Sequence, residues 1–213
     1  NLSLYAQDQW RANRLTLTYG LRWELVPPPH GINGFSPSVV TQVDDPATIA
    51  FAPRGTVLWK TTYGNFAPRV GASYQLSHAP ERETVLRGGF GLFYDLGAGQ
   101  VSNAFVLNFP AFARTSSSLA AFPLPPDVAA IPVAGTNPTA SDFVYAFDPE
   151  LKLPRVYQWN VSVEHSLGKN QSITASYVAA VGRKLLRTQT ITNPNPGLLG
   201  NFFITKNTAT SDY

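Results

Sequence analysis

The chain has 213 residues, 44% of them hydrophobic and only 14% charged, which suits one large domain or two small ones and excludes disorder as a whole-chain state. That charge fraction lies far below the roughly 25% usual in soluble domains, and the net charge of +3 comes from scattered Lys and Arg, which excludes a basic nucleic-acid face. Cysteine is absent, excluding a disulfide scaffold, a Cys-ligated zinc site and a thiol nucleophile, and no apolar run approaches the roughly 18 residues of a membrane helix.

Period-two alternation predicts about six strands, at residues 2–10, 15–24, 66–76, 84–95, 156–167 and 172–182. In the second, Leu15, Leu17, Tyr19, Leu21 and Trp23 alternate with Thr16, Thr18, Gly20, Arg22 and Glu24. In the fourth, Leu86, Phe90, Leu92 and Tyr94 share one face, and Arg87, Gly89, Gly91 and Asp95 the other. Strand one alternates imperfectly. Asp8 falls beside Leu4 and Ala6, which places it at a headgroup level beside Trp10 or calls for a bulge that shifts the phase.

The connections after strands one, three and five are short, about 11–14, 77–83 and 168–171. Those after strands two, four and six are long and read as structureless, about 25–65, 96–154 and 183 to the end. In a meander every second connection lies at the same end. One end therefore carries tight turns and the other long loops, the layout of an outer-membrane barrel. Most of the 18 prolines fall in the long connections, and Pro68, near a strand start, is the exception.

Strands of about 9–12 residues match the span of a tilted membrane strand, whereas soluble strands more often have about five or six. Arg22, Arg69, Arg87, Gln158, Asn160 and Glu164 lie opposite the apolar side chains. An Arg at the lipid midplane costs about 2–4 kcal/mol, so these residues are expected to face a wet lumen. Ser162, Thr174 and Ser176 join them there. Trp23, Tyr94, Tyr157 and Trp159 fall toward long-loop ends, and Trp10 and Tyr74 toward short turns. They are expected to form two interfacial girdles. Taken singly, each ring is also an ordinary strand residue that packs across strands.

Four segments, LYAQDQWRANRLTLTYGLRWE, NFAPRVGASYQL, TVLRGGFGLFYD and FDPELKLPRVYQWNVSVEHSLGKNQSITASYVAAVGRKL, resemble the barrel of TonB-dependent outer-membrane receptors, with the Oar-like branch nearest. The resemblance covers nearly all the strands and little of the long loops. It implies a barrel of about 22 strands with a plugged lumen, and active import of a solute bound outside. The energy would come from an inner-membrane TonB complex acting on a plug region. The chain lacks a plug, a TonB box and a signal peptide. It is therefore expected to be an internal piece of a longer protein, the ending NTATSDY reading as the approach to another strand.

Few groups suggest chemistry. His30, His78 and His165 share no metal spacing, and Asp44 and Asp45 read as a solvated turn in place of a calcium loop. RGGFGLF lacks the strand-then-helix setting and the Lys of a phosphate loop. In the loop 103–114, Phe105, Phe109, Phe112 and Arg114 offer an apolar, partly cationic surface to a ligand, or else pack the loop against its neighbours.

The expectation is an all-β, antiparallel up-and-down transmembrane barrel segment with short periplasmic turns and long extracellular loops. It sits in the outer membrane of a Gram-negative-type bacterium and is not an enzyme. No cofactor, metal or nucleic acid is expected. Its partners are outer-membrane lipid, a transported solute of unknown identity and, through the missing plug, the TonB complex. The alternatives are a passive porin or adhesin barrel, which an upstream plug would exclude in its passive form, and a soluble carbohydrate-binding β-domain, which would partition into the aqueous phase.

Overall fold

The computed structural model describes residues 1–31, 37–95, 109, 122–123, 126 and 137–212. In chain order the strands are β1 (Leu2–Ala12), β2 (Leu15–Leu25), β3 (Val40–Thr41), β4 (Ala50–Phe51), β5 (Phe66–Ser77), β6 (Thr84–Tyr94), β7 (Phe143–Phe147), β8 (Arg155–Ser166), β9 (Ser172–Thr192) and β10 (Asn201–Asp212), with one 3-10 turn at Pro46–Thr48. Eight of them form one sheet in the order β1-β2-β5-β6-β8-β9-β10-β7.

The six predicted strands are the antiparallel meander β1, β2, β5, β6, β8 and β9. Register follows the alternation without a slip from β1 to β2: Leu4 lies opposite Trp23, Ala6 opposite Leu21 and Asp8 opposite Tyr19. No bulge re-phases β1, so Asp8 stays on the apolar face. Two tight turns rely on backbone that few residues adopt. Asn13 (φ 49) closes β1 onto β2, and Gly168 (φ 87) closes β8 onto β9. Pro68 lies one residue before the β5–β6 ladder begins at Arg69, where its missing N–H takes no bond from that ladder.

Among the described residues the apolar face of the meander is largely uncovered. Leu4 is 58% exposed, Val70 48%, Val161 48% and Tyr177 63%. Most of the buried apolar residues lie elsewhere, beyond the long-loop end, with Ala67, Leu92 and Ala179 the exceptions within the meander strands. One cluster joins Val40, Val43, Ile49, Val144, Leu198, Phe202 and Ile204, among others. A second joins Val39, Leu58, Trp59, Phe147 and Leu151. The described parts of the connections read as structureless therefore form a packed cap with two small cores. Residues 25–65 contribute the β3–β4 hairpin, whose Val40 and Phe51 are paired. Residues 137–154 contribute β7, which runs parallel to β10 from Phe143 opposite Asn201 to Phe147 opposite Thr205.

The last connection differs most from its sequence reading. β9 does not stop at residue 182 but continues to Thr192 and returns as β10. Lys184 has φ 55, and the β9–β10 register shifts twice, between Lys206 and Ala209 and between Ala209 and Ser211, the second shift opposite Lys184. The irregularity breaks the alternation there, which hides the continuation from a period-two reading.

Candidate functional site

The polar face carries a connected wall of side chains. In one row across the sheet Gln7, Gly20, Arg69, Gly91, Gln158 and Ala180 lie opposite one another. In the next but one, Arg11, Thr16, Ser73, Arg87, Ser162 and Ser176 do so. Arg87 and Glu164, on neighbouring strands, form an ion pair. Gln158 and Asn160 lie on the same face of β8, opposite Gly91 and Gly89. The predicted lumen residues of β5, β6 and β8 thus come together on one surface.

Arg69 does not pair with a carboxylate among the described ion pairs; its guanidinium lies 4.4 Å from the centroid of the Phe93 ring. Gly91 makes this possible, because a Cβ there would lie 2.7 and 2.9 Å from ring atoms of Phe93. The glycines of RGGFGLF therefore include one that leaves room for a ring and the cation stacked on it.

Arg22 lies one row nearer the long loops and lines a pocket together with Gln7 and Arg69. It pairs with Glu24, and its Nη2 donates to Ser3 Oγ at 3.2 Å. Ser3 Oγ donates in turn to Glu24, which is buried. Asn65 holds the backbone of Glu24 from both sides, its Nδ2 donating to the Glu24 carbonyl at 3.0 Å and its own carbonyl accepting from the Glu24 N–H at 3.0 Å. Glu24 was absent from the predicted site, although its spacing of two from Arg22 puts both on one face.

The six interfacial aromatics all lie on the apolar face. Trp10 is opposite Leu17, and Tyr74 opposite Leu15 and Leu86, toward the short turns. Trp23 lies between Leu4 and Phe66, with its indole N–H donating to the Tyr63 carbonyl at 2.7 Å. Tyr94 ends β6 opposite Arg155, and Tyr157 lies opposite Leu92 and Val181. Trp159 is further from the loops, opposite Phe90 and Ala179. On the same face, Tyr19 donates its hydroxyl to Asp8 at 2.9 Å.

Of the loop residues proposed for ligand contact, Phe109 packs against the first cap core and its N–H donates to the Phe143 carbonyl at 2.8 Å. Phe105, Phe112 and Arg114 lie outside the described residues. Asp45 caps the 3-10 turn through the Ala47 N–H at 3.0 Å, and Asp44 forms an exposed ion pair with Lys206 of β10 at 2.9 Å. His165 Nδ1 shares a hydrogen bond with Thr84 Oγ1 at 2.9 Å. Among the described residues no group of three His, Cys, Asp or Glu side chains is placed to hold a metal.

A family model for an outer membrane beta barrel domain matches residues 1–213. The chain belongs to that family. Comparison with curated proteins and with solved structures returned no match. Membership in the outer membrane beta barrel family decides what wets each face. The uncovered apolar face meets hydrocarbon, and the polar wall lines the barrel interior. The protein resides in the outer membrane of a Gram-negative-type bacterium, with the short turns periplasmic and the cap extracellular. Among the described residues the two apolar cores lie in the cap, which leaves the large uncovered apolar face of the sheet to hydrocarbon.

Proposed function

We propose that this barrel domain is part of a TonB-dependent receptor that binds a bulky solute at the extracellular side and imports it with energy from the inner membrane. The observation in favour is the cap. Three long connections pack into two apolar cores above a polar inner wall, which suits a built vestibule better than a set of open loops. The four strand segments that resemble the receptor barrels point the same way. In this reading the chain performs no bond-making chemistry. Arg69, Arg87, Gln158, Asn160 and Glu164 line the route, and Arg22 stands at its extracellular end. The barrel's partners are outer-membrane lipid and, through a plug region, the TonB complex.

The test begins with the coding sequence on both sides of these residues, which on this reading encodes a plug upstream and further alternating strands. Growth or uptake on candidate solutes is then compared in strains with and without TonB. Uptake lost on deleting either the receptor or TonB supports the proposal. Uptake that needs the barrel but not TonB assigns a passive channel.

A further inference from the structure

At the extracellular rim a cavity of about 510 Å³ opens between the end of β6, the start of β8, the irregularity in β9 and the segment before β5. Lys152, Arg155 and Lys184 line it, together with Tyr63 and Tyr94, and no carboxylate is among its lining residues. None of the three cations takes part in an ion pair among the described residues. Arg155 Nε is buried and has no hydrogen-bond partner among them. Three like charges around one cavity repel one another, and a buried donor without an acceptor carries a desolvation cost. An anion in the cavity relieves both.

The arrangement is held by groups other than the cations' own charges. Asn207 on β10 accepts from the Lys152 N–H at 2.6 Å and donates to the carbonyls of Lys152 at 2.9 Å and Lys184 at 2.6 Å. It thereby fixes Lys184 in a left-handed conformation that a residue other than glycine rarely adopts.

The location narrows the anion. Arg155 lies opposite Tyr94, and its guanidinium is 5.6 Å from the Tyr157 ring, on the lipid-facing side of the wall. Tyr63 is tied by its carbonyl to Trp23, on that same side. The cavity therefore sits outside the barrel, at the extracellular level where hydrocarbon gives way to headgroups.

We infer that this cavity binds a phosphate group, carried by an outer-leaflet lipid headgroup or by a dissolved phosphate. Guanidinium and ammonium groups together offer the charge-assisted donors that a phosphate dianion accepts. The test uses the full-length protein extracted from outer membranes in detergent. Retained phosphorylated glycolipid is counted by native mass spectrometry, and thermal stability is followed with added inorganic phosphate. The comparison is with a triple variant, Lys152→Gln, Arg155→Gln and Lys184→Asn, in which Asn tolerates the left-handed backbone.

Retention or apparent affinity is expected to fall about tenfold for each charge removed, the worth of one charge-assisted hydrogen bond. Added salt should weaken it further. Glycolipid retained by the wild type and lost in the variant identifies a headgroup site. A phosphate-dependent thermal shift lost in the variant, without glycolipid retention, identifies a site for dissolved phosphate. If the wild type shows neither, or the variant retains both undiminished, the inference is overturned. Should the triple variant fail to fold, Lys152→Gln alone carries the comparison, because that side chain is exposed.

Discussion

Asp8 shows how one residue is made tolerable on a lipid-facing strand. The register leaves it among Leu4, Ala6 and Trp10, and the Tyr19 hydroxyl across the strand pair donates to it at 2.9 Å. Removing that donor leaves a carboxylate facing hydrocarbon with its cross-strand partner gone. Tyr19→Phe is expected to destabilise the full-length barrel by about 1.5–3 kcal/mol, the range for hydrogen bonds to charged groups. Urea unfolding in lipid vesicles measures it, and Tyr19→Phe combined with Asp8→Leu should recover most of the loss. Gly91 makes a second case on the opposite face. A methyl there must push the Phe93 ring from its place and away from the Arg69 guanidinium. Gly91→Ala should cost about 1 kcal/mol, the scale of one cation–π contact and some repacking. Gly64→Ala, where a Cβ would meet nothing within 4 Å, should be close to neutral in the same assay.

At the scale of elements, the six wall strands were legible because each has two chemically different faces, and a period of two survives any tilt or twist of the sheet. β3 and β4 have two residues each, too few to show a period. β7 finds its parallel partner β10 some sixty positions along the chain, so no local pattern announces it. The lumen residues were legible for the same reason as the strands. Phe93 was not, because its role depends on the glycine two positions before it and an arginine on the next strand. Lys206 was missed because its importance is a matter of burial. Its side chain is 12% exposed, and the ammonium donates to the Val43 carbonyl and pairs with Asp44, which is 94% exposed. An ion pair with so exposed a partner contributes little, so of the two polar contacts it is the carbonyl bond that adds to the apolar packing of Val40, Val43 and Ile49 on Phe202 and Ile204 in tying the 25–65 connection to β10. Lys206→Ala is expected to loosen the cap and speed protease cleavage within residues 37–65, while Asp44→Asn leaves the rate nearly unchanged. Limited proteolysis on intact cells reads both, and the heat-resistant barrel band on gels should be unaltered in each.

At the scale of the molecule, the sheet's open side limits what this segment can do alone. Among the described residues β1 pairs with β2 only, over its whole length from Leu2 to Ala12. In water a free edge of that length is solvated, but in hydrocarbon each unpaired backbone group costs several kcal/mol. A handful of such groups outweighs the roughly 5–15 kcal/mol of net stability typical of a folded domain. The cap cannot compensate, because its two cores lie beyond the membrane-spanning part of the sheet. Residues 1–213 expressed alone and refolded into detergent should therefore give no cooperative, heat-resistant β-signal by circular dichroism, whereas the full-length protein should. The two halves of the molecule can also be told apart. Apolar clusters built from residues 39–59, 143–151 and 198–204 do not depend on lipid for their burial. Hydrogen exchange on the isolated segment should thus show residual protection in β7 and in the adjoining part of β10, and almost none in β1. Full protection of β1 in the isolated segment would mean that its edge is covered by another copy of the chain, and the wall would then close by association.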